Sequence, residues 1–267
     1  MTIFGDLQTL RDKPIPTPRE KSGYRSVPIA FDGAANAEPL VDTQAYGLAG
    51  ENFYASARNP PYYHRIPGSI DALIAREGAA QRLQQVNARL AVAELELFLF
   101  DAWRPQAVQI YFHDKWLPAE LKRRNPALDG ASLLAEVETY WAAPSDGVDA
   151  PSPHSTGGAI DLTIRWRNGD PLWMGSLFDD ASTLAHTTHF ERTATDAAFS
   201  FSNEEARANR RLLYWLMREA GFASNPNEWW HFSYGDQMWA QATGAPQALY
   251  GGALYGGALY AGADFAP

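Results

Sequence analysis

The chain has 267 residues, 46% hydrophobic and 20% charged, a length and balance that bury a core without help from disulfides. It has no cysteine, which excludes disulfides, thiolate metal sites, iron–sulfur clusters and cysteine nucleophiles, so any metal must be held by carboxylates and by some of six histidines. A net charge of −9 argues against sequence-independent nucleic-acid binding and against adhesion to anionic membranes.

The N-terminus, Met1-Thr2-Ile3-Phe4-Gly5-Asp6, has no basic region leading into an apolar core, and no apolar run approaches the ~20 residues of a membrane helix. A cytoplasmic protein is expected. Residues 1–39, with Pro14, Pro16, Pro18, Pro28 and Pro39, read as an extended, loosely structured lead-in. Leu83, Val86 and Leu90 recur at helical spacing and predict a helix over Gln81 to Val92. Leu95 to Phe100 is apolar at nearly every position, as in a buried strand. Asp101-Ala102-Trp103-Arg104-Pro105 then turns into a helix whose buried face is expected to hold Ile110, Tyr111 and Trp116.

Ser132 to Trp141 predicts a further helix, followed by the turn-rich stretch Pro144 to Pro153. Ala159 to Ile164 alternates, with Ile160, Leu162 and Ile164 on one strand face and Ala159, Asp161 and Thr163 on the other. Ser202-Asn203-Glu204-Glu205 has the form of a capping box opening a helix striped by Leu212, Leu216 and Ala220 and stopped by Gly221. Trp229 to Tyr234 reads as a final core strand. Residues 241–267 form a Gly/Ala/Leu/Tyr tail in which Gly-Gly-Ala-Leu-Tyr occurs twice, at 251 and 256. Two copies are too few for a solenoid. The tail is either flexible or an arm docking on a neighbouring subunit in a homo-oligomer. A single α+β domain is expected: a small, mainly antiparallel sheet with helices packed around it.

Two constellations carry chemistry. In the first, His154 sits in a turn, Gly157 and Gly158 allow a tight path, and Asp161 lies on the polar face of the next strand. The second is Glu228-Trp229-Trp230-His231. Catalytic zinc takes three protein ligands and leaves one position open, with a carboxylate base that does not bind the metal. His154, Asp161 and His231 are the candidate ligands for one zinc ion, and Glu228 the base. Residues three apart face opposite ways in a regular strand, so Glu228 and His231 converge only if Glu228 lies at a strand boundary or a bulge. Singly, each residue has a plainer reading, as a hydrogen-bonded structural histidine, a sheet-face carboxylate or a core tryptophan. His186 and His189 lack an accompanying carboxylate motif, and His64 and His113 lie among aromatics; all four read as bystanders.

In combination the stretches Ser152-Pro153-His154-Ser155-Thr156-Gly157-Gly158-Ala159-Ile160-Asp161-Leu162-Thr163 and Glu228-Trp229-Trp230-His231 resemble the VanX-type D-alanyl-D-alanine dipeptidases. Asp101 to Pro105 resembles that family's Asp-x-x-Arg-Pro motif, which assigns transition-state stabilisation to Arg104. Met174-Gly175-Ser176-Leu177-Phe178-Asp179 resembles its loop whose Asp receives the substrate amino group, a role that falls on Asp179. Asn52-Phe53 and Tyr62 or Tyr63 resemble its pocket segment, and Ser152 completes the implied substrate contacts. The resemblance covers roughly residues 40–240 and implies zinc-dependent hydrolysis of the free dipeptide D-Ala-D-Ala. Two other readings remain: a D,D-carboxypeptidase or endopeptidase on cell-wall peptides, and a zinc-stabilised binding module without catalysis.

Overall fold

The computed structural model describes residues 3–17, 22–141, 143–145, 149–191 and 200–255. A five-stranded sheet lies at its centre. It is built from β2 (Ala49–Gly50), β4 (Leu95–Asp101), β5 (Ala159–Trp166), β6 (Ala223–Asn225) and β7 (Glu228–Ser233), in the order β2-β4-β5-β7-β6. The β2–β4 pairing is parallel and the other three are antiparallel. A separate antiparallel pair joins β1 (Leu40–Asp42) to β3 (Ile74–Arg76). The expected α+β architecture with a mainly antiparallel sheet is the one observed.

Helices α2 (Glu77–Ala91) and α6 (Phe201–Glu219) hold the apolar face of this sheet, because their stripes supply side chains that water cannot accommodate. Leu83, Leu90, Leu212 and Leu216 are buried with Ile160, Leu162 and Ile164 of β5 in one core. Each such side chain contributes about 1.5–3 kcal/mol relative to exposure. Alternation turns Asp161 and Thr163 to the other face, where they too are buried. Over that face lie α3 (Gln106–Tyr111), a π-helical turn at Phe112–Trp116, α4 (Leu117–Arg124) and α5 (Gly130–Tyr140). In α3 and the π turn Val108 and Phe112 are the buried apolar residues, while Ile110, Tyr111 and Trp116 are only partly covered.

Two expectations need correction. Ile3–Asp12 of the lead-in is a helix, α1, not extended chain; Leu7 and Leu10 are buried, and Arg11 pairs with Glu205 of α6 at 2.9 Å. The prolines that suggested an open chain all follow it. The N-cap of α6 is Ser200, whose hydroxyl accepts from the Asn203 amide at 3.4 Å, rather than Ser202. The first copy of the tail repeat docks on its own chain. After α7 (Gln237–Thr243), Tyr250 is completely buried, its hydroxyl donates to Glu38 at 2.8 Å, and Ala253 is fastened on both sides. The second copy lies outside the described residues. Among the described residues no helix is long and apolar enough to cross a membrane.

Candidate metal centre and substrate cavity

His154 leads out of a short 3₁₀ turn, Pro153–Thr156, into a sharp reversal toward β5. Gly157 has φ +74°, and a Cβ on it would sit 2.4 Å from a methyl of Leu40; a Cβ on Gly158 would sit 2.3 Å from the Tyr234 carbonyl oxygen. Only glycine fits this path, which drops the chain onto β5 three residues before Asp161. Across the β5–β7 ladder Asp161 is the direct partner of His231. Between β6 and β7 the register breaks: Ser224 faces Phe232 but Asn225 faces Glu228, so Trp229–His231 have no counterpart in β6. This irregularity puts Glu228 at the first residue of β7 and on the same side as His231, with Oε2 3.6 Å from Nδ1. The expectation of a strand boundary or bulge at Glu228 is met.

His154, Asp161 and His231 are each 5% exposed or less, and one ligand atom from each lies within 4.8 Å of the others. His154 Nδ1 is 2.8 Å from the Ala102 carbonyl, to which it donates, and Nε2 is turned toward the other two groups. His231 Nε2 faces the Ser233 hydroxyl at 3.2 Å, leaving Nδ1 inward. The separations are 3.1 Å from His154 Nε2 to His231 Nδ1, 3.1 Å from His231 Nδ1 to Asp161 Oδ1, and 3.4 Å from His154 Nε2 to Asp161 Oδ2. Ligands on bonds of ~2.0–2.1 Å around a tetrahedral ion stand about 3.3 Å apart, so the three groups suit one metal ion. Asp161 Oδ1, buried and without a well-formed hydrogen bond, is the atom such an ion would satisfy. No other His/Asp/Glu group of this kind occurs among the described residues, His186 and His189 included.

Around the triad runs a chain of buried charge. A bulge in β4 opposes Asp101 to Asp161, and Arg104 bridges them: Nε donates to Asp101 Oδ2 at 2.7 Å and Nη2 to Asp161 Oδ2 at 3.1 Å. The guanidinium lies between the rings of Tyr54 and Trp141, 4.9 and 4.8 Å from their centroids. Burial by itself would loosen its proton, but the surrounding Tyr54, Asp101, Asp161 and Asp179 raise its pKa well above the usual value. Arg104 is therefore permanently charged.

Asp179 sits at φ +59° at the end of a loop that α6 anchors through Arg210, whose guanidinium donates to the carbonyls of Met174, Leu184 and His186. Asp179 Oδ2 accepts from the hydroxyls of Tyr54 at 2.8 Å and Tyr62 at 3.0 Å. Part of the residue's surface is open, but the carboxyl is shielded from water. That burial pushes its pKa up to about 7, against the lowering effect of Arg104 and the two hydroxyls. Burial also raises Tyr54 and Tyr62, so both remain hydrogen-bond donors. Of the tyrosine pair, Tyr62 is the one that lines the cavity. Tyr63 is 71% exposed at φ +56°, a backbone turn that throws its ring outward, and it has no part in the cavity.

Arg104, Ser152, Glu228, Asp179, Tyr62 and the triad line one cavity of about 440 Å³. Of the predicted site residues only Tyr63 is left outside. Tyr54 and Trp141 were missed by the sequence reading. Tyr54 directly follows Asn52-Phe53, so the signal was one residue away; nothing in sequence marks Trp141.

The family model described as D-ala-D-ala dipeptidase, of peptidase family M15, matches residues 46–247. A D-alanyl-D-alanine dipeptidase of Synechocystis sp. is 33% identical over 81% of this chain and 88% of its own length. Proteins of the same name from Enterococcus faecalis and Escherichia coli are 28% and 31% identical, over 74% and 52% of this chain and 91% and 54% of their own. The chain is a peptidase belonging to the D-Ala-D-Ala dipeptidase family, M15.

Proposed function

We propose that the protein hydrolyses the free dipeptide D-Ala-D-Ala to D-alanine, with one zinc ion held by His154, Asp161 and His231. The observation that carries this reading is Asp179. It is a shielded carboxylate in the metal cavity whose partners are two neutral hydroxyls, and among the described residues no cation forms an ion pair with it. A substrate ammonium would supply the missing charge. A cavity of about 440 Å³ suits a small ligand better than a cell-wall strand.

Two imidazoles and one carboxylate, with no thiolate, are a donor set typical of catalytic zinc. Bound there, zinc would supply Lewis acidity toward the peptide carbonyl and acidify a water at its remaining position. Glu228 accepts the proton of the attacking water as oxygen bonds to the carbonyl carbon. It returns that proton to the amine as the C–N bond breaks. Arg104, already charged and held by two carboxylates, offsets negative charge building on the carbonyl oxygen, an effect worth about 3–4 kcal/mol for one such donor. Tyr54 and Tyr62 orient Asp179, and Ser152 contacts the substrate from the His154 loop.

The deciding experiment compares alanine release from D-Ala-D-Ala and from N-acetyl-D-Ala-D-Ala, before and after chelation and zinc return. Hydrolysis of the free dipeptide alone, lost with chelator and restored by zinc, is expected. Comparable rates on both substrates would make the protein a carboxypeptidase, and no zinc-dependent release from either would leave the binding-module reading.

A further inference from the structure

The segment Ser22–Arg25 precedes residues 46–247, the part matched by the family, yet it forms one wall of the metal cavity. That cavity is acidic: Glu138, Asp161, Asp179, Asp180 and Glu228 all line it, against two arginines, Arg25 and Arg104. A dipeptide brings a carboxylate as well as an ammonium, and a carboxylate entering these walls needs a cation. Arg104 is already engaged with Asp101, Asp161, Gln109 and Tyr54. Among the described residues Arg25 has neutral partners and makes no ion pair: Nη2 donates to the Ala143 carbonyl at 2.5 Å and Nε to the Tyr24 hydroxyl at 3.3 Å.

Its position fits the remaining end of the substrate. Arg25 and Asp179 line the same cavity as Glu228 and His231, Arg25 on the Ser22–Arg25 segment and Asp179 on the loop that Arg210 anchors. The Gln237 amide ties the backbone of Arg25 and Val27, at 3.0 and 2.6 Å, to the Asp149 carbonyl at 3.0 Å, which seats the segment against the loop running into Ser152 and His154.

We infer that Arg25 receives the free carboxylate of the dipeptide, so that the substrate spans the cavity with its ammonium on Asp179 and its carboxylate on Arg25. A guanidinium fork matches a carboxylate with charge-assisted hydrogen bonds, and the neutral partners of Arg25 are easily exchanged for it. This assignment rests on the dipeptidase reading and extends it: the enzyme selects for two free termini, one through the family's own motif and one through a segment outside it.

The test compares D-Ala-D-Ala with its C-terminal amide on the zinc-loaded enzyme and on its Arg25→Ala and Arg25→Lys variants, with melting curves as a folding check. Arg25→Ala should raise KM for the acid by about ten- to a hundredfold, the range for a lost hydrogen bond to a charged group. The loss should fall on KM rather than kcat, and the preference for acid over amide should collapse; Arg25→Lys should restore part of it. Turnover of D-Ala-D-Ala with an unchanged acid-to-amide ratio in Arg25→Ala would overturn the assignment of Arg25 alone. Absence of D-Ala-D-Ala turnover by the unmutated enzyme would overturn the dipeptidase reading and the carboxylate assignment with it.

Discussion

His154 Nε2 and His231 Nδ1 stand 3.1 Å apart, while the far nitrogen of each ring faces the Ala102 carbonyl and the Ser233 hydroxyl. Two imidazole nitrogens this close repel unless a proton or a cation lies between them. Asp161, paired with His231 across the sheet, supplies the third donor and a negative charge. The expected result is about one zinc per chain by elemental analysis. His154→Ala or His231→Ala should reduce zinc content at least tenfold under the same dialysis.

Glu228 lies beside the centre at the end of β7 without belonging to the close triad. Glu228→Gln keeps the shape but cannot accept a proton. Zinc content should stay near that of the unmutated protein while kcat falls by about 10²–10⁴. A near-normal kcat would assign the base elsewhere.

Asp179 gives a pH signature. Only the ionised carboxylate attracts an ammonium, and burial lifts its pKa to about 7. As pH falls through that value the carboxylate protonates, so kcat/KM for D-Ala-D-Ala should drop by about tenfold per unit on the acid side. A bound dication near Asp161 opposes the rise and moves the break downward. Asp179→Asn should flatten this limb and lower kcat/KM by about thirtyfold or more, the size of a lost desolvated charge pair. Stopped assays across pH 5–8 would show it.

Arg104 serves two carboxylates at once, so its replacement acts on folding and on catalysis. Arg104→Ala leaves Asp101 and Asp161 buried without their cation, a loss of about 3–5 kcal/mol. Arg104→Lys retains the charge but not the fork, and should keep the fold while lowering kcat by about 10²–10³. Chemical denaturation and steady-state kinetics on the pair separate the two effects.

The C-terminal arm should support the centre from behind. Trp103 Nε1 donates to the Ala253 carbonyl at 3.0 Å, and the Ala253 amide donates to the Ser155 carbonyl at 2.9 Å, tying together the loops that carry Arg104 and His154. Ala253→Pro removes the second of these bonds, worth about 1 kcal/mol. It should lower Tm by roughly 2–4 °C and speed zinc loss to a chelator.

Much of this was legible beforehand because local chemistry and fold agree. Leu83, Val86 and Leu90 announced α2, and the alternation of Ile160, Leu162 and Ile164 announced β5 with Asp161 on its reverse face. The strand geometry of Glu228 and His231 demanded an irregularity, and the β6–β7 register supplies it. What stayed hidden depends on distant partners. Nothing near Arg25 says that the segment lies along the cavity, and nothing in the sequence around the Gly-Gly-Ala-Leu-Tyr repeat says that Tyr250, just before its first copy, is swallowed by its own chain. Arg210, midway along a charged helix, looks solvent-facing until the carbonyls of the Asp179 loop fold onto it.

On the proposed mechanism, the break in register between β6 and β7 makes ion binding and proton transfer separable by chain length. Trp229–His231 follow β5, which holds His231 opposite Asp161, while Glu228 is held by Asn225 on β6. Removing one residue from the Asn225–Glu228 turn would leave His231 seated on β5 but retract the carboxylate from the position it shares with the imidazole. On the proposed mechanism, a hairpin one residue shorter would withdraw the base while leaving all three proposed ligands in place.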